Sequence, residues 1–169
     1  VLCMVSGKND LTVLQHPSGI IANPFKAKLI SFNEDGFTYR GRFIEDWQAA
    51  TVGYIASQKA HNALRWLASE QGVREFSGKR IFLCWNPEGK TIPRPMRRVR
   101  SAEAEPVRKP SEYKKQLQGT LLSFRKDHQL KDEDRAVLVS LDAATPGRLA
   151  VPYDTELGMG TCLRRMEDW

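Results

Sequence analysis

The sequence predicts an α+β fold, with a mixed, largely antiparallel sheet packed with one long helix and at least two shorter helices. Three observations carry this. Short apolar runs of strand length are interspersed with segments of helical period. Two such runs, AVLVSL and LAVPY, are joined through DAATPG, a turn-linked pair. A single apolar stripe at helical spacing lies between Asp46 and Gly72.

The elements follow in order. Residues 1–6 and 28–33 read as strands, separated by the turn chemistry of His16-Pro17-Ser18-Gly19 and Asn23-Pro24. Asn33-Glu34-Asp35-Gly36 is a hairpin-type turn. The next run, FTYRGRF, places Phe37 and Tyr39 on one side and Thr38 and Arg40 on the other. Asp46 as N-cap and Gly72 as stop bound a helix from about Trp47 to Glu70. Val52, Ile55, Ala56, Ala63, Leu64 and Leu67 form its apolar stripe, and Ser57, Gln58, Lys59, Asn62 and Arg65 its other face. The uniformly apolar run within 79–86 predicts a strand covered on both faces. Ser111 opens a helix to about Lys126, and DHQLKDEDR is a solvated connection. Strands at 136–141 and 149–153 and a helix beginning near Leu157 complete the chain.

At 169 residues the chain has the length of one domain, 1–169, or of a fragment of something larger. Both ends read as severed: VLCMVSG resembles an internal strand, and MEDW a helix without a stop. No apolar run approaches the ~20 residues of a membrane span. The three cysteines show no CxxC or Cys/His spacing, and the place of Cys3 and Cys84 in apolar runs predicts small core hydrophobes in a reducing cytoplasm. The net charge of +6 is local: residues 90–115 hold nine basic residues against three acids, and the remainder is neutral. Five prolines punctuate residues 87–110, which predicts a basic loop rather than an element.

Motifs of catalysis are missing. Ser6-Gly7-Lys8 lacks the preceding glycine and the following Ser or Thr of a phosphate loop. His16, His61 and His128 have no metal-ligand spacing, and Asp132-Glu133-Asp134 reads as a solvated charge run. No nucleophile elbow occurs. The candidates are instead groups that could hold phosphates or stack bases. Lys26 and Lys28, with Arg40 and Arg42 beside Phe37 and Tyr39, combine cations with aromatic faces. The alternative is that these rings are core and the arginines flank a strand. Lys59 lies on the polar helix face. Arg94, Arg97, Arg98 and Arg100 give the loop the charge density of a phosphate-grasping arm, or of a solubilising linker. His61 and Asn62 carry two readings: a packed histidine held by Ser57 or a neighbouring loop, or a contact with a nucleic-acid backbone or a partner.

The phrases KAKLISFN, GFTYRGRF, SQKAHNALRWL, FLCWN and LDAATPGRLAV closely resemble, in order, successive blocks of the Csd-type large subunit of type I-C CRISPR surveillance complexes (Cascade). They span Lys26 to about Val151, the central portion of a longer family sequence. Two departures stand out: Val151-Pro152-Tyr153 where the family tends to carry paired aromatics, and the GMGTC stretch after it. The resemblance implies a non-catalytic part of an RNA-guided complex, without cofactor, in the cytoplasm. Guide RNA pairing reads the target DNA while the large subunit reads the flanking PAM, steadies the opened duplex and helps recruit a helicase-nuclease. Its implied partners are target DNA and guide RNA, the other Cascade subunits and that helicase-nuclease, with no membrane. Much of the PAM-reading surface is expected outside residues 1–169. Two other readings remain: a free-standing mimic of the large subunit that blocks assembly, an anti-CRISPR-like inhibitor, and a metal-dependent nuclease invisible to motif reading.

Overall fold

A computed structural model describes residues 1–21, 27–31, 42–75, 78–93, 110–145 and 147–168. The fold is α+β. A 3-10 turn at Asp46–Ala49 precedes α1 (Tyr54–Glu70), β1 (Val73–Glu75), β2 (Arg80–Trp85), α2 (Pro110–Asp127), β3 (Arg135–Thr145), β4 (Arg148–Gly158) and α3 (Met159–Glu167). The four strands form one antiparallel sheet in the order β1-β2-β3-β4. The chain divides into two compact units, residues 1–81 with 141–152, and 82–140 with 153–169. Strands β2, β3 and β4 each contribute residues to both.

The later elements follow local signals. Helix α2 begins one residue before Ser111 and ends one beyond Lys126. The β3–β4 hairpin is longer than its apolar runs, reaching Thr145 on one side and Gly158 on the other. Gly147, at φ 81°, supplies the left-handed backbone that turns it. Strand β2 alternates instead of being covered on both faces: Ile81 and Leu83 are buried, while Phe82 and Cys84 are half-buried. Strand β1 has no counterpart in the sequence reading.

The N-terminal third departs most from expectation. No named strand forms within residues 1–6 or the described part of 28–33; only the isolated bridges Leu2–Asn9, Ser18–Lys28 and Lys28–Arg148 occur there. The 33–36 turn and residues 37–41 lie outside the described residues. Among the described residues no one helix stands out as the long one, since α1 has 17 residues and α2 has 18.

Helix α1 starts at Tyr54 rather than Trp47, because a distant segment sets its first turn. Asp10 Oδ2 accepts the Ile55 N–H at 3.1 Å, Leu11 O accepts the Tyr54 N–H at 3.0 Å, and Cys3 Sγ accepts the Gly53 N–H at 3.2 Å. Gly53 is required at this junction, since a Cβ there would overlap the Asp10 carboxylate. Upstream, the Gln48 side chain satisfies the Ile44 and Glu45 amides at 2.8 and 3.0 Å, so the 3-10 turn is capped separately. Asp10 thus does the work expected of Asp46, an anion at the positive end of a helix. Asp10→Ala is expected to cost about 1 kcal/mol of stability, measured as a lower denaturant midpoint at unchanged slope.

The helix also turns a different face inward. Its buried residues are Ser57, His61, Leu67 and Ala68, whereas Ile55 of the expected stripe is 57% exposed. Two polar side chains can occupy the inner face because they are hydrogen-bonded to each other, and Ser57 is also bonded to His16. At the other end of α1, Gly72 is needed because a Cβ there would overlap the Ile81 side chain and the Ala68 carbonyl.

The core of the first unit includes Ile20, Ile21, Ala27, Leu67, Ile81, Leu141 and Leu149. In the second, Leu121 of α2, Ala136 of β3 and Met159, Cys162 and Leu163 of α3 cluster with Ile92 and Leu130. Among the described residues, no helix is long and apolar enough to cross a membrane.

Candidate nucleic-acid interface

In the first unit, cations gather around the segment that carries Ser18 and Lys28. Lys28 pairs with Ser18 on one side and Arg148 on the other. Its N–H donates to Gly147 O at 3.0 Å, and its carbonyl accepts from Leu149 N–H at 2.9 Å. The backbone of Lys28 therefore fixes it beside Arg148, whatever its side chain does. Arg65, reaching from α1, donates through Nη2 to Ser18 O and through Nη1 to Asn62 Oδ1 at 3.1 Å. Three cationic residues from three parts of the chain thus converge: Lys28, Arg65 and Arg148.

Beneath them lies a buried polar group. Ser57 Oγ sits 2.9 Å from His16 Nδ1 and 3.5 Å from His61 Nδ1. His61 Nδ1 is also 2.7 Å from the Ser57 carbonyl, which can only accept, so Nδ1 donates to it. The other ring nitrogen, Nε2, is buried without a hydrogen-bond partner. The two rings stack with centroids 6.2 Å apart and 20° between their planes. Burial holds the His16 pKa below the usual imidazole value, assisted by the charges of His61 and Lys28. The Lys28 charge is therefore felt at His16. Ser57 and His61 are enclosed, at 0% and 1% exposure, so the group supports the surface rather than forming part of it.

The sequence candidates divide accordingly. Lys28 is half-buried in the cluster, while Arg42, Lys59 and Asn62 are exposed. No ion pair among the described residues involves Lys28, Arg42, Lys59 or Arg148. Lys59 stands on the outward side of α1 with Ile55, Asn62 and Trp66, the last 62% exposed. His61 faces inward, held by Ser57. Lys26, Arg40, Arg94, Arg97, Arg98 and Arg100 lie outside the described residues, as do Phe37 and Tyr39. Sequence reasoning passed over Arg148 and His16 as members of this region. No local signal marks them, because a bridge and a hydrogen bond between distant segments create their roles.

The acidic connection has a structural role. Asp134 pairs with Lys90 Nζ at 2.6 Å and accepts the Lys131 N–H at 2.7 Å, and Asp132 pairs with Arg125 at 2.9 Å. Among the described residues, no group of three or more His, Cys, Asp or Glu side chains could hold a metal ion.

No curated protein matches the chain. A family model does, over residues 1–169, and its description is CRISPR-associated protein (Cas_Csd1). That match covers the whole sequence, including both ends beyond the span of the quoted phrases. The chain therefore belongs to the Cas_Csd1 family of CRISPR-associated proteins.

Proposed function

We propose that this chain is a non-catalytic part of the large subunit of a type I-C interference complex, where it supports target-DNA binding, R-loop stabilisation and assembly with the other Cas components. Family membership gives the CRISPR association. The observation that carries the finer reading is the convergence of Lys28, Arg65 and Arg148 in the first unit. Such cations hold phosphates without reading sequence, which suits a complex whose guide RNA does the reading. Lys59 and the exposed Trp66 on α1 add a cation and a ring face of the kind that stacks unpaired bases. Phosphate contacts release counterions, so their loss has a distinctive signature in salt.

The test is the affinity of the purified chain for single- and double-stranded DNA across a salt series, with Lys28→Ala and Arg148→Ala combined. Lys28 and its neighbours are held through backbone bonds, so truncating the two side chains preserves the bridge. For duplex DNA, the slope of log K against log salt is expected to flatten by about 2, near one unit per lost contact. Unchanged affinity and slope would remove these residues from any DNA contact. Capture of type I-C backbone subunits without DNA binding would instead make the region an assembly surface.

A further inference from the structure

In the second unit, helices α2 and α3 leave an open cleft along their contact. Its floor is apolar, because Leu121 of α2 and Leu163 of α3 belong to the core cluster. Leu122 forms one wall and is 61% exposed. Gly160 brings only backbone to the opposite wall, since a Cβ there would overlap the Asp132 carboxylate. The cleft measures about 160 Å³. A cavity of about 150 Å³ lined by leucines accepts a benzene ring, so one leucine or phenylalanine side chain fills this one.

The rim is charged, and one charge of each sign is unused. Arg125 is committed, pairing with Asp132 at 2.9 Å and donating through Nε to Leu130 O at 3.2 Å. Arg164 Nη2 donates to Thr161 Oγ1 of its own helix at 3.3 Å. Among the described residues, Arg164 has no acidic partner and Glu167 no basic one.

We propose that this cleft docks an amphipathic helix of a partner protein. That helix inserts a leucine or phenylalanine between α2 and α3, and sets an acid against Arg164 and a base against Glu167. A groove between two packed helices accepts the side-chain ridge of a third. The apolar anchor supplies most of the affinity, since it takes the exposed wall of Leu122 out of water. The two charges select the partner and its direction more than they hold it. A nucleic-acid strand is a poor occupant, because Glu167 repels phosphates and the leucine floor gains nothing from them. The site stands on residues of the second unit alone and does not depend on the DNA-binding reading.

The test titrates the whole chain into a fluorescein-labelled helical peptide with glutamate, leucine and lysine along one face, read by fluorescence anisotropy. Saturable binding is expected, weakened about tenfold when the peptide leucine becomes alanine. Leu122→Ser is expected to weaken it as well. Arg164→Glu should lose this peptide and gain a version with lysine in place of its glutamate. Leu122 and Arg164 are both exposed, so neither substitution touches the core. If Leu122→Ser nevertheless fails to fold, the Arg164 exchange decides. No binding by the wild-type chain, or binding that the Arg164 exchange leaves unchanged, overturns the proposal. So does a dimer of the chain, seen by sedimentation and abolished by Leu122→Ser, which gives the cleft to a second copy.

Discussion

Replacing Asn86 with alanine is expected to cost about 3 kcal/mol of stability, as polar groups left unpaired in the interior cost ~1–3 kcal/mol each. Asn86 follows β2 and is 5% exposed. Its Nδ2 donates to Arg135 O and to Glu88 Oε2, both at 2.8 Å, and its Oδ1 accepts the Lys90 N–H at 2.9 Å. One amide therefore closes the 86–90 turn, in which Gly89 has φ 82°, and ties that turn to the start of β3. Around it, Arg135 pairs with Glu88 at 2.6 Å and Glu156 at 3.4 Å. Those exposed pairs contribute little by themselves. Alanine would leave the Lys90 N–H and the Arg135 carbonyl without this partner and open a small void. Chemical denaturation of the variant checks this, and Asn86→Asp separates the terms: it keeps the oxygen that accepts the Lys90 N–H but loses both donors. A loss under 1 kcal/mol in Asn86→Ala would mean that water replaces the amide.

Acid should destabilise the first unit before it reaches the carboxylates. The His16 pKa is lowered in the folded chain, so between that value and the unfolded value of about 6.5 the unfolded state binds more protons. Stability is then complete above about pH 6.5 and falls as pH drops through the window down to the folded pKa. The steepest slope for one histidine is about 1.4 kcal/mol per pH unit. The cause is physical: burial disfavours a charge on His16, which would also form against the stacked His61 ring and near the Lys28 ammonium. Glu88 and Asp134 are also held below their usual values, by Arg135 for the first and by the Lys131 amide and Lys90 for the second. Their contribution is present above about pH 4 and disappears only below it, in a separate window. Urea midpoints at half-unit steps from pH 4 to 8 would resolve the two. In His16→Asn, which retains an amide for Ser57 Oγ, the upper slope should vanish while the lower one persists. A wild-type profile flat between pH 5 and 7 would contradict the buried-pair argument.

How much the sequence discloses depends on how local each determinant is. Helix α2 and the β3–β4 hairpin are legible because Ser111, the apolar runs and Gly147 lie within or beside the elements they define. The start of α1 is not legible, since Cys3, Asp10 and Leu11 decide it from far upstream. Its buried face is misread for a related reason. Periodicity favours Ile55, yet Ser57 and His61 go inward, where His16, 41 residues before Ser57, gives the Ser57 hydroxyl a partner and stacks on the His61 ring. At the candidate interface, Lys28, Arg42, Lys59 and Asn62 could be named from residue type alone. The grouping of Lys28 with Arg65 and Arg148 could not, because it is made by bridges between segments the sequence keeps apart.

The division of the chain into units bears on how it can be made and cut. The first unit draws its last segment, 141–152, from beyond most of the second, which is itself interrupted by that segment. During synthesis the first unit therefore stays incomplete until Pro152 has left the ribosome, with its buried Leu141, Ala143 and Leu149 made last. Delayed pairing of this kind is slow and leaves apolar surface open in the meantime. The same interleaving means that no single cut releases either unit whole. A truncation ending near Ile81 would lack two of the strands that its own core requires.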